Sequence, residues 1–183
     1  MTADWARVAR RIRVPLGFLF AIFYLWLARP SPLFMTAGLV LIFPGLTLRA
    51  LASGYVRKDR ELTSTGPYAY TRNPLYLGSL LIASGFAIAA RSWWVVLVIA
   101  VFFGAVYLPV VWAAEERLRQ NFPDYAAYAA QVPRFVPRFS PVANSQTQRF
   151  SRELYLKHRE YNAALGSGLM LLALAAKLIW FSR

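Results

Sequence analysis

From Trp93 to Ala114 the chain runs 22 residues without a charged side chain. That is the length an α-helix needs to cross the hydrocarbon core of a bilayer. Trp93, Trp94 and Trp112 stand near its ends, where interfacial aromatics belong. Four more stretches approach the same length: Val14–Ala28, Leu33–Val56, Pro74–Ala90 and Ala163–Phe181. Backbone polar groups in lipid must be satisfied within the segment, so these read as helices. The expected fold is all-α: a polytopic membrane helix bundle of about five transmembrane helices. Pro44 and Pro109 fall inside two spans and should each disturb the helix there.

Charge then fixes an expected orientation. Hydrophobic residues make up 58% of the chain, yet its net charge is +13. With the N-terminus in the cytoplasm, 17 of the 21 Lys and Arg residues fall on the cytoplasmic side. The four left over are Arg29, Arg91, Lys177 and Arg183, which puts the C-terminus opposite. All eight acidic residues also fall on the cytoplasmic side. That asymmetry is the positive-inside rule at work, with attraction to anionic headgroups. It leaves no need for nucleic acid as a partner, since DNA binding would want a basic face on a soluble fold. The expected partners are membrane lipids, in a prokaryotic cell membrane. Arg7, Arg10, Arg11 and Arg13 ahead of an apolar run resemble a signal peptide. The run ends in Ala28-Arg29-Pro30 rather than small residues, so the first helix is expected to be retained.

The spans hold almost no ionisable groups, which argues against a transporter. Polar residues gather instead in two blocks at the cytoplasmic surface. The first runs from Glu61 to Gly78. Asn73-Pro74 reads as a helix start, with Asn73 capping free amides and Pro74 in the first turn. The positive end of that helix, with Arg72 beside it, suits a carboxylate or phosphate. Gly66 and Gly78 allow a ligand or a second helix to approach the backbone. The second block carries Glu115-Glu116, then Phe122-Pro123-Asp124-Tyr125, Tyr128 and Val132-Pro133. Adjacent positions point about 100° apart on a helix, so one Glu of the pair is expected to face a pocket. His158, the sole histidine, reads as a surface residue. No Cys is present and no metal site is expected.

Gly66-Pro67-Tyr68…Arg72-Asn73-Pro74-x-Tyr76-x-Gly78, followed by Glu115-Glu116, Phe122-Pro-Asp-Tyr125-x-x-Tyr128 and Val132-Pro133, resembles the isoprenylcysteine carboxyl methyltransferase family. It is also similar to the phospholipid N-methyltransferases of that superfamily. The resemblance covers about residues 57–138 of a single domain, 1–183, with an extra amphipathic segment and helix at 149–181. It implies a membrane enzyme with a cytoplasmic cofactor pocket, moving methyl groups from S-adenosylmethionine to a lipidic, lipid-linked or otherwise hydrophobic acceptor. It further implies that Thr65, Gly66, Pro67, Tyr68, Arg72, Asn73, Tyr76, Gly78, Glu115 and Glu116 bind the cofactor. Arg72, Tyr76 and Glu116 would take part in catalysis, and the turn at Pro133–Arg134 would help close the pocket. Tyr68, Tyr76 and Trp112 are the aromatic faces available for a sulfonium. Asn73 and Thr65 stand where the prenylcysteine enzymes usually have His. Pro109–Trp112 lacks the Arg that those enzymes use for a substrate carboxylate. Two other readings compete: a sterol-reductase-like NADPH enzyme, and a non-catalytic membrane protein on the same fold.

Overall fold

The computed structural model describes residues 19–57, 61–142 and 148–181. Those residues are helical or irregular, with no strand among them. In chain order the helices are α1 (19–27), α2 (Pro32–Tyr55), α3 (Pro74–Ala90), α4 (Trp93–Asn121), α5 (Tyr125–Gln131), α6 (Arg152–Lys157) and α7 (Tyr161–Phe181). Three of them, α2, α4 and α7, are long and apolar enough to cross a membrane. The third expected span is a shorter apolar helix of 17 residues, and residues 14–18 of the first lie outside the described residues.

The outer surfaces are apolar. Trp26, Val40, Phe43, Trp93, Leu169 and Leu172 are all exposed, as lipid-facing side chains should be. Polar backbone ends are answered internally. The Arg29 amide donates to the Ala90 carbonyl at 2.8 Å, where α3 stops on a left-handed Arg91 (φ +49°). The Lys177 ammonium donates to the carbonyls of Leu25 and Trp26, placing a cation at the C-terminal end of α1. Tyr24, Ala28, Ala89, Ala90, Val95 and Leu174 form a buried cluster at this end of the bundle.

Helices α2 and α3 run antiparallel in backbone contact, through two glycine pairs. A Cβ on Gly85 would stand 2.5 Å from the Gly38 carbonyl oxygen, and one on Gly78 would stand 2.8 Å from that of Gly45. Both helices use the same seven-residue spacing, 38/45 and 78/85, so each pair stays on the shared face over two turns. Small residues at a membrane helix crossing allow such close approach.

The two prolines behave differently. Helix α2 continues through Pro44. In α4 the five residues Phe103–Tyr107, just before Pro109, form a wide π-turn. A proline lacks the amide that would meet the carbonyl four residues earlier and its ring crowds that carbonyl, so the turn ahead of it opens.

Candidate functional site

At the other end of the bundle the C-terminal ends of α2 and α4 meet the N-terminal ends of α3 and α7. Between them lies a cavity of about 770 Å³. Its walls combine Tyr68, Arg72, Asn73 and Tyr76 of the first block with Tyr107, Arg117 and Tyr128 from α4 and α5. Arg49 and Ser53 of α2 and His158 and Glu160 of the α6–α7 elbow complete it.

The first block enters through a 3₁₀ turn, Gly66–Ala69. Gly66 sits at φ +58°, and a Cβ there would collide with the Tyr55 ring at 2.7 Å. Only glycine meets both conditions without strain. The second block then folds back over the turn. Tyr128 donates its hydroxyl to the Tyr68 carbonyl at 2.8 Å. The Arg72 amide donates to the Pro133 carbonyl at 2.9 Å, and the Thr71 hydroxyl donates to the Arg134 and Phe135 carbonyls. Burial pushes the phenols of Tyr68 and Tyr128 well above the usual range, so both stay protonated as donors. Tyr128→Phe removes one such bond. It should cost about 1 kcal/mol of stability, read from the unfolding midpoint in detergent.

Beneath the cavity floor sits a buried carboxylate. Glu115 is only 6% exposed. Arg134 grips it in a fork, Nε at 3.1 Å and Nη2 at 2.9 Å from Oε2. Asn73 Nδ2 donates to Oε1 at 2.7 Å, and Arg72 Nη1 lies 3.7 Å from Oε2. Asn73 therefore stands at the start of α3 without capping it, because its amide is turned to Glu115 and the Arg134 carbonyl. Pro74 still opens the first turn as expected. Arg72 Nε is buried without a hydrogen-bond partner among the described residues, while the residue lines the cavity.

An aromatic wall stands opposite. Tyr107 meets Tyr76 edge to face, with centroids 6.2 Å apart, and Phe103 stacks on Tyr107 at 5.4 Å. Tyr107 lies in the π-turn, and Pro109 was the signal that could have marked it. Trp112 is exposed on the outer face of α4 and does not line the cavity.

The segment beyond residue 148 supplies the last wall. Phe150 packs on Gly54 and Tyr55, and the Ser151 amide donates to the Gly54 carbonyl at 2.9 Å. Arg49 Nε donates to Glu160, and its Nη1 reaches Ser79 and the Leu75 carbonyl. His158 is half-buried rather than on the surface, with Nδ1 3.0 Å from the Ser53 carbonyl oxygen.

Of the residues expected to bind the cofactor, Tyr68, Arg72, Asn73 and Tyr76 line the cavity, and Glu115 lies directly behind them. Thr65 instead bonds Gln148, and Gly78 touches Gly45 and Arg49 of α2. Gly66 and Pro67 border a separate, mainly apolar cavity of about 430 Å³ with Leu48, Leu51 and Tyr70. Glu116 is exposed and accepts from Gln120 one turn on. The Glu that turns inward is Glu115.

Residues 45–124 match the family model described as phospholipid methyltransferase. That segment is similar to the phospholipid methyltransferase family. It runs from inside α2 to just before α5, so it contains Tyr68, Arg72, Asn73, Tyr76 and Glu115 but neither Arg134 nor the α6–α7 elbow. Over 119 residues the chain is 34% identical to the cobalt-zinc-cadmium resistance protein CzcN of Cupriavidus metallidurans. Over the same length it is 29% identical to the nickel-cobalt-cadmium resistance protein NccN of Alcaligenes xylosoxydans xylosoxydans. Each match takes in 64% of this chain. The chain spans about 55% of the length of these relatives. No solved structure matches. Both relatives are named for metal resistance, but no group of three or more metal-ligating side chains occurs among the described residues.

Proposed function

We propose that the protein is an integral membrane methyltransferase. It would move a methyl group from S-adenosylmethionine to a lipidic or hydrophobic acceptor at the cytoplasmic face. The observation that carries this reading is the 770 Å³ cavity at the start of α3, walled by Tyr68, Arg72, Asn73 and Tyr76 of the family segment. Its volume lies within the range of small-molecule sites. The residues suit the group. The Arg72 guanidinium lines the cavity and carries the charge to meet a carboxylate, and the first turn of α3 carries no side-chain cap. The Tyr76 and Tyr107 rings offer π-faces to a cation. When bound, S-adenosylmethionine would supply an electrophilic methyl on a sulfonium.

This chain's own residues would bind and orient. Glu115 holds Arg72 and Arg134 in place, so the Arg72 charge is set before ligand arrives. The reading takes Glu115, not Glu116, as the carboxylate of the site. Seventeen of the 21 basic residues on one side support a cytoplasmic position for it. The bacterial relatives fit a prokaryotic membrane.

Calorimetry of the detergent-solubilised protein tests the proposal. S-adenosylmethionine should bind and NADPH should not. Arg72→Ala should weaken binding by at least about tenfold, the loss of roughly one charge-assisted hydrogen bond. No heat with S-adenosylmethionine rejects the reading.

A further inference from the structure

The α6–α7 elbow carries a group that neither the family segment nor the motif blocks include. We propose that His158 is the general base of the methyl transfer, accepting at Nε2 the proton that the acceptor's nucleophile gives up. The inference rests on the methyltransferase reading above and adds the path of the proton.

Three observations carry it. First, a backbone carbonyl can only accept, so the 3.0 Å contact to the Ser53 carbonyl makes Nδ1 the protonated nitrogen of the neutral ring. Nε2 then keeps its lone pair, and no described residue hydrogen-bonds to it. Fixing one nitrogen to orient the other is how an imidazole base is prepared. Second, His158 lines the same cavity as Tyr68, Arg72 and Tyr76. Third, an ion pair holds the elbow there, against the strain of its backbone. Arg159 adopts φ +51°, a left-handed conformation that a non-glycine residue holds at a cost. Glu160 pairs with Arg49 across the gap to α2.

Charged groups of both signs line the cavity with the ring. Arg49 and Arg57 from α2 and its extension, Arg72 ahead of α3, Arg117 on α4 and Arg159 all line the cavity. Glu61 and Glu160 are the carboxylates that line it with them.

The step balances. The acceptor's N–H, O–H or S–H heteroatom forms its bond to the methyl carbon as the carbon–sulfur bond breaks. The sulfonium leaves as a neutral thioether, and the acceptor proton ends on Nε2. An acceptor that ionises only weakly needs such a base, whereas a free carboxylate does not.

His158 is the only histidine, so a protein labelled in the histidine ring nitrogens gives one imidazole to observe. The expected spectrum is that of the Nδ1-protonated ring, and adding S-adenosylmethionine should move the Nε2 signal. A ring protonated on Nε2, or a signal that does not respond while calorimetry shows donor bound, overturns the proposal. The activity arm uses labelled S-adenosylmethionine with a total lipid extract of bacterial membranes. His158→Asn can still donate to the Ser53 carbonyl, so it keeps the elbow in place but carries no base. It should bind donor like the wild type, lose about 10²–10⁴-fold in transfer rate, and lose the acid limb of the pH profile. His158→Gln is the second variant, in case the first disturbs folding. Unchanged rate and pH profile in both variants rejects His158 alone. Absence of donor binding in the wild type rejects the methyltransferase reading with it.

Discussion

Glu115→Ala is expected to lower the unfolding free energy by about 3–5 kcal/mol, the cost of leaving a buried ion cluster without its counter-ion. Arg72, 14% exposed at its side chain, would be left beside Asn73 with no carboxylate. The Arg134 side chain is 43% exposed, so water would screen it and it adds little to the loss. The effect also reaches the cavity. Glu115 links α4 to the start of α3 and to the Pro133–Arg134 turn. Without it the second block loses one of its holds on the first, and S-adenosylmethionine binding should fall along with stability. Glu115→Gln keeps the shape and one acceptor for Asn73 or Arg134, so its cost should lie below that of alanine. Thermal and denaturant unfolding in detergent read both variants. A loss under about 1 kcal/mol for alanine would place the cluster among exposed ion pairs instead.

Gly85→Leu is expected to leave little folded protein, and Gly85→Ala or Gly78→Ala to cost about 1–3 kcal/mol each. The added Cβ at 85 meets the Gly38 carbonyl at 2.5 Å and Ile42 Cγ1 at 2.6 Å; at 78 it meets Arg49 Cγ at 2.6 Å. Backbone cannot rotate away as a side chain can, so α2 and α3 must separate. Separation happens once, so Gly38→Ala combined with Gly85→Ala should cost less than the sum of the two. Gly166→Ala is the control. Its Cβ meets nothing, and removing a helical glycine should stabilise by about 0.5–1 kcal/mol. Equal behaviour at Gly85 and Gly166 in unfolding assays would contradict the backbone contact.

How legible was this in the sequence? The apolar lengths of α2, α4 and α7 were, because crossing lipid sets a length that no tertiary contact alters. The meeting of the two blocks was too, since alternating helices bring the start of α3 and the end of α4 to one side. A one-residue choice was not. Glu115 and Glu116 are chemically alike, and only the rotation of α4 about its axis turns one inward. Asn73 is a good cap by type, yet a buried carboxylate competes for its amide and wins. Gly78 carried two readings, ligand or helix, and the partner proved to be Gly45. His158 looked like part of a solvated surface because its local pattern is amphipathic. Its place in the cavity depends on the Ser53 carbonyl, 105 residues away in sequence.

The elbow wall has an evolutionary side. The Arg72–Tyr76 wall of the cavity lies within the family segment, while His158, Arg159 and Glu160 come from chain beyond residue 124. Glu160 is tied through Arg49 to the first turns of α3, but His158 touches none of the groups that hold Arg72. Under the proposed methyl transfer, a lineage that changed position 158 would alter one wall while inheriting the Glu115 cluster intact. Chimeras that graft a relative's elbow onto residues 1–148 would turn this division into a test of what each wall contributes.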